Sequence, residues 1–111
     1  MSLDLFNLTG KIAIITGASR GLGQYLTRAL AGAGADVVIT SRSVDSLQEF
    51  TKEIESLGRK VLPLPLDVRD HQSIQEMAEA AYGHFGRIDI LVNNAGCNVR
   101  KPAVDVDWED W

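Results

Sequence analysis

The sequence predicts an α/β domain built on a doubly wound parallel sheet, and three observations carry that reading. Short apolar runs of strand length alternate with amphipathic helical stripes. The runs are nearly unbroken rather than alternating, which is the pattern of strands buried on both faces. Strand and helix follow one another three times before a fourth strand, an order that implies right-handed parallel crossovers.

Residues 11–16 (Lys-Ile-Ala-Ile-Ile-Thr) form the first strand-like run, with isoleucine at Ile12, Ile14 and Ile15. Residues 36–41 (Asp-Val-Val-Ile-Thr-Ser) and 88–92 (Ile-Asp-Ile-Leu-Val) have the same character. Residues 60–66 are weaker, because Pro63 and Pro65 each remove a ladder donor. That run belongs at a sheet edge, or only its first residues are strand. Between the strands, Leu22, Leu26, Ala29, Leu30 and Ala33 recur at helical spacing and predict a first helix ended by Gly34. Leu47, Phe50, Ile54 and Leu57 predict a second, stopped by Gly58. Ile74, Met77, Ala78, Ala81 and Phe85 predict a third, opened by Asp70 or Ser73 as cap and closed by Gly86. Asn93-Asn94-Ala95-Gly96 then reads as a turn at the carboxyl end of the fourth strand, and residues 97–106 as irregular connection. Residues 107–111 resemble a helix start with Asp107 as cap, so the chain is expected to be a portion of a longer protein.

Size and charge narrow the functional classes. The 111 residues suit one compact domain over 1–111, with 45% apolar and 23% charged residues. A net charge of −4 gives no electrostatic reason to expect nucleic acid or an anionic membrane as partner. Cys97 stands alone and cannot form an internal disulfide, which fits a reducing, cytoplasmic setting. No run approaches the roughly 20 apolar residues of a membrane span, and the N-terminus lacks the basic-then-apolar pattern of a signal peptide.

The strongest chemical signal is Thr16-Gly17-Ala18-Ser19-Arg20-Gly21-Leu22-Gly23, where the first strand hands over to the first helix. Glycine without a Cβ lets the backbone turn tightly and approach a pyrophosphate, while the helix N-terminus presents free N–H donors and a favourable dipole. Gly23 would also let the helix pack close to the sheet. Glycines serving only a tight turn are the competing reading, and the strand–turn–helix context favours phosphate binding.

The spacing Gly-x-x-x-Gly-x-Gly resembles that of the short-chain dehydrogenase/reductase family, whose motif here is Thr-Gly-x-x-x-Gly-x-Gly. Two further motifs agree in order: Asp67-Val68 after the third strand, and Asn93-Asn94-Ala95-Gly96 after the fourth. The resemblance implies a Rossmann-like doubly wound sheet, first half only, with strand order 3-2-1-4. It implies that Gly17, Ser19, Arg20, Gly21, Leu22 and Gly23 approach a dinucleotide. It further implies that Asp67 and Val68 contact adenine, and that Asn94, Ala95 and Gly96 border the ribose. Asp67 is also a reasonable helix cap or turn residue, and the Asn94 amide is suited to pinning backbone.

Charge then speaks to the cofactor. An NAD-preferring site places a carboxylate about 20 residues beyond the glycines, whereas the second strand ends in Thr40-Ser41-Arg42 with no acid before Asp45. Arg20 and Arg42, helped by the Ser41 hydroxyl, suit a 2′-phosphate, so NADP(H) is expected over NAD(H). His71 and His84 lack a ligand cluster and no metal site is expected. Cys97 has no partner that would make it a nucleophile, Tyr25 has no lysine four residues on, and Trp108 and Trp111 read as packing residues.

In the resembled family, catalysis uses a serine and a Tyr-x-x-x-Lys pair downstream of Asn-Asn-Ala-Gly. Residues 97–111 contain no serine or tyrosine, and Lys101 is their single lysine. No catalytic residue is therefore assigned; the chain alone is expected to be inactive, and a carbonyl or alcohol substrate is expected only for a complete parent. Three readings stay open: a portion of an alcohol–ketone oxidoreductase, a non-catalytic nucleotide-binding module, or a half-Rossmann unit serving only in assembly. In order 3-2-1-4 the run 88–92 lies at an edge, so self-association through it, or a homo-oligomer, is expected.

Overall fold

The computed structural model describes residues 7–94. In chain order these hold β1 (Ile12–Ile15), α1 (Gly21–Gly32), β2 (Asp36–Ser41), a 3-10 turn (Val44–Leu47) leading into α2 (Gln48–Glu55), β3 (Val61–Pro65), α3 (His71–Phe85) and β4 (Ile90–Val92). All strand pairs are parallel and the order is β3-β2-β1-β4, as the sequence motifs implied.

Strand alternation divides the core between the two faces of the sheet. Ala13, Ile15, Val37 and Ile39 pack with Ala31 of α1 and with Leu47, Phe50 and Ile54 around α2. Ile12, Ile14 and Val38 face the other way and pack with Ile74, Met77 and Ala81 of α3. One face thus carries α1 and α2, the other α3. Each fully buried aliphatic side chain in these layers contributes about 1.5–3 kcal/mol.

β3 is an edge strand that keeps both prolines. Leu66 N donates to Ser41 O at 2.9 Å and Lys60 O accepts from Val37 N, so the even-numbered residues turn their polar groups toward β2. Pro63 and Pro65 fall on the alternate phase, where the missing N–H would have pointed away from the sheet.

Three expectations need correction. The buried face of α1 is Gly23, Thr27 and Ala31, not the leucine stripe; Leu22 is 61% exposed and Ala29 is exposed. Small residues face inward because the helix lies close to the sheet, and Thr27 satisfies its hydroxyl by donating to Gly23 O at 2.7 Å. Leu57 falls beyond the end of α2 and is exposed. The fourth strand covers residues 90–92 rather than 88–92, with Ile88 and Leu91 exposed, so it is not buried on both faces. Its neighbour among the described residues is β1 alone. At α3, Asp70 is the cap, accepting from Gln72 N, while Ser73 instead accepts from Asp67 N. No helix among the described residues is long and apolar enough to cross a membrane.

The late start of β4 has a cause. Asp89 stands just before β4 and holds the start of β1 partly with its side chain: its Oδ2 accepts from Ile12 N at 2.8 Å, and its own N–H donates to Ile12 O at 2.9 Å. The Arg87 guanidinium forks onto both Asp89 oxygens, and this bond, with that from Ile12 N–H, holds the carboxyl below the ordinary aspartate range. A carboxylate with a depressed folded pKa stabilises the fold above its unfolded pKa of about 3.9, and the contribution is lost as pH falls through the folded value. Asp89→Asn keeps the size and an acceptor but removes the charge. Its denaturation midpoint should be lower than wild type at pH 7, and the gap should close below about pH 4. A gap that stays constant with pH would show that Asp89 acts through packing alone.

Candidate functional site

The first strand is followed by Thr16, which is fully buried, and Gly17 turns the chain with a φ of 71°, a left-handed conformation costly for residues with a Cβ. The loop is tied down by Ala18 N donating to Thr40 O at 2.9 Å. Arg20 then opens α1 from an extended conformation, without a side-chain hydrogen bond to cap the helix and without an acidic residue in its first turn. α3, by contrast, is capped by Asp70. A helix N-terminus without its own anion is suited to an external one.

Gly23 explains how closely that helix approaches. A Cβ on Gly23 would lie 2.1 Å from Gly17 O and 2.9 Å from the Asn94 amide nitrogen. The same Gly17 carbonyl accepts from Asn94 Nδ2 at 3.2 Å, while Asn94 N donates to Thr16 Oγ1 at 2.9 Å and Thr16 N donates to Val92 O. Asn94 therefore pins the glycine loop to the end of β4.

These elements frame one cleft of about 510 Å³ at the carboxyl ends of the strands. Gly17, Ser19 and Arg20 line it from the loop, and Ser41 and Arg42 from the end of β2. Residues 66–69 line it after β3 and Asn94 after β4. Of the remaining residues singled out in the sequence, Gly23 packs beneath the loop, and Gly21 and Leu22 lie on the exposed start of α1. Ala95, Gly96, Cys97, Trp108 and Trp111 lie outside the described residues. Ser41 Oγ accepts from Ser43 N at 3.3 Å and lies 3.1 Å from Ser46 Oγ, so its hydroxyl is part of the β2 loop as well as of the cleft wall. His71 and His84 stand at opposite ends of α3, and no cluster of metal-binding side chains occurs among the described residues.

Motif reading passed over two lining residues, the buried Leu66 and Arg69, and Arg69 is the charged one. Its Nε and its backbone N–H both donate to Asp67 Oδ1, at 3.1 and 3.0 Å, and its Nη2 donates to Asp67 Oδ2 at 3.3 Å. This fork, then the backbone bond, holds the Asp67 carboxyl below the ordinary range, with Arg42 adding its charge from across the cleft. Asp67 is thus a turn residue and a cleft residue at once. The Asp-x-Arg spacing was visible in the sequence, but spacing alone does not say that the arginine folds back.

Comparison with known proteins places this arrangement. Residues 11–111 match the profile of the short chain dehydrogenase family, and the chain belongs to that family. It is 40% identical over 111 residues to a 2-dehydro-3-deoxy-D-gluconate 5-dehydrogenase from Escherichia coli, covering 100% of this chain and 43% of the relative. A metagenomic short-chain oxidoreductase solved in complex with NADP is similar with a TM-score of 0.77 at 39% identity, over 81% of this chain and 41% of that one. A 7α-hydroxysteroid dehydrogenase complexed with NADH and 7-oxo glycochenodeoxycholic acid gives 0.83 at 36% identity, over 99% and 43%. The chain spans less than half the length of the curated relatives it matches.

The packing at Gly23 makes a direct test of how the loop is held. Alanine in an open helical position is favoured over glycine by about 0.5–1 kcal/mol. At Gly23 that gain is outweighed, because a methyl group meeting backbone at 2.1 Å forces the loop aside, an overpacking cost of about 1–3 kcal/mol. Gly23→Ala should lower the denaturation midpoint, whereas Gly83→Ala, on α3 with open space around it, should hold or raise it. Equal effects at the two sites would mean that the loop is not held by this contact.

Proposed function

We propose that residues 1–111 form the NADP(H)-binding portion, in a single domain, of an oxidoreductase that interconverts alcohols and ketones. The observation that carries this reading is the charge of the cleft: Arg20, Arg42 and Arg69 line it, and the one carboxylate among its lining residues, Asp67, is already paired. No acid stands at the end of β2 to accept from a ribose 2′-hydroxyl. Similar solved structures hold NADP in one case and NADH in another, so local charge is what argues for the phosphorylated cofactor.

In this reading the glycine loop, from Gly17 through Gly21 to Gly23, and the uncapped start of α1 receive the pyrophosphate, with Ser19 and Leu22 beside it. Arg20 and Arg42 take the 2′-phosphate next to Ser41, Asp67 and Val68 meet the adenine, and Asn94 with Ala95 and Gly96 border the ribose. The bound nicotinamide supplies the hydride chemistry, and the residues of this chain bind and orient the nucleotide.

Losing a charge-assisted contact to the 2′-phosphate costs about 1.5–3 kcal/mol. Arg42→Ala should accordingly weaken NADPH binding by about tenfold or more while leaving NADH nearly unchanged. Equal losses for the two cofactors would overturn the preference. The outer edge of β4, which pairs with no strand among the described residues, gives a second expectation for the 111-residue chain, namely pairing with a second copy of itself. Sedimentation across a dilution series should show a mass that rises with concentration; a monomer throughout would remove β4 as an association surface.

A further inference from the structure

We infer that the outward face of α1, lined by Leu22, Tyr25, Leu26 and Ala29, is a contact surface for a second copy of this chain, with Ala29 facing its counterpart across a two-fold axis. The surface is distinct from the β4 edge, and it stands whether or not the cleft binds a nucleotide.

α1 is apolar on more than one side. Its buried face is Gly23, Thr27 and Ala31. Leu22 and Tyr25 are nevertheless 61% and 67% exposed, Ala29 is exposed and Leu26 is half-buried. At 3.6 residues per turn, Leu22, Leu26 and Ala29 fall in one stripe with Tyr25 beside it. Arg28 is the single charged residue between Gly21 and Gly32. It is turned toward α2, where its guanidinium forks onto Glu53 at 2.6 and 3.0 Å. The stripe therefore looks outward and away from α2, on the flank nearer β4. A helix that is apolar all round is ordinarily buried, yet no part of the described chain covers this one.

Charge selects the occupant. The chain carries a net −4, and the outward faces of the other two helices hold much of its acid. Glu49 and Glu55 on α2, and Glu76 and Glu79 on α3, are all exposed. Two copies meeting through either of those faces would set like charges against one another, which is unfavourable. α1 has no carboxylate between Gly21 and Gly32, and its one cation is already paired. A two-fold axis places identical residues opposite each other, so a face without charge is the one that can meet itself. Leu22, Tyr25 and Leu26 supply the apolar area, while Ala29 leaves room for the two helix backbones to approach.

The test sediments the 111-residue chain and two variants across a dilution series. Wild type should pass from a one-copy mass to at least a two-copy mass as concentration rises. Ala29→Glu and Ala29→Lys each set like charges at the axis and should weaken association by about tenfold or more. Their denaturation midpoints should stay near that of wild type, because residue 29 is exposed and both replacements favour helix. An equimolar mixture of the two variants should recover association, since opposite charges then face each other; pairing through β4 gives no such recovery. If a charged variant failed to fold, Ala29→Cys in a Cys97→Ser background decides. A short bis-maleimide should link its copies but not those of Ala80→Cys, which is exposed on α3. Association unchanged in both charged variants would overturn the inference and leave β4 as the contact. Loss in both without recovery in the mixture would overturn it too, as would a wild type that stays monomeric.

Discussion

The Gly17 carbonyl is where the architecture converges. It ends the turn out of β1, it leaves no room for a Cβ on Gly23 in the first turn of α1, and it accepts the Asn94 amide from beyond β4. The turn, the helix that follows it and a side chain 77 residues further on thus meet at one backbone oxygen. Because α1 comes so close, small residues must face the sheet, and Gly23, Thr27 and Ala31 do so. Because the loop is held from below by Asn94 and from the side by Ala18 on Thr40, its remaining polar groups are free to face the cleft.

Charge is distributed to the same end. The chain is acidic overall, at −4, yet its cleft is lined by three arginines. Three carboxylates stand away from the cleft and are engaged there: Glu53 of α2 accepts a fork from Arg28 of α1, and at the amino ends of the strands Asp89 accepts from Arg87 and from the start of β1 while Asp36 accepts from Lys60 N. The two longer helices also differ where it counts. An acid near a helix N-terminus is ordinarily favourable; α3 has one in Asp70, whereas α1 starts with Arg20 and carries none in its first turn. The start of α1 is thereby suited to an anion from outside the chain.

Much of this was legible in the sequence, and the limits have physical causes. Unbroken apolar runs located β1 and β2 within a residue, because a strand buried on both faces has no polar phase to confuse it. Pro63 and Pro65 put β3 at an edge for the reason the hydrogen bonds bear out. The leucine stripe placed α1 but not its buried face, since periodicity counts large apolar residues and the closest helix–sheet contacts are made by small ones. The sequence pattern counts Asp89 within the strand run 88–92, whereas it anchors the neighbouring strand, a long-range role that no local pattern encodes. Arg69 escaped for a related reason. A surface arginine is usually solvated, and only the geometry shows it closing on Asp67.

The weakest element of the sheet carries a share of the site. β4 is three residues long and Leu91 is 45% exposed, so few buried apolar contacts hold it. Local opening begins in such elements, where burial is slight and backbone hydrogen bonds are near solvent. Yet Val92 and Asn94 supply the bonds that fix Thr16 and the Gly17 carbonyl. Whenever β4 leaves β1, the floor of the glycine loop loses its pin, and the donors above it lose their orientation. A nucleotide that binds only the ordered loop therefore draws on the same equilibrium as whatever covers the β4 edge, since each removes the open state by mass action. In the proposed nucleotide-binding reading, order at the edge of the sheet and affinity at its carboxyl end are coupled through the bonds that Val92 and Asn94 make to Thr16 and the Gly17 carbonyl.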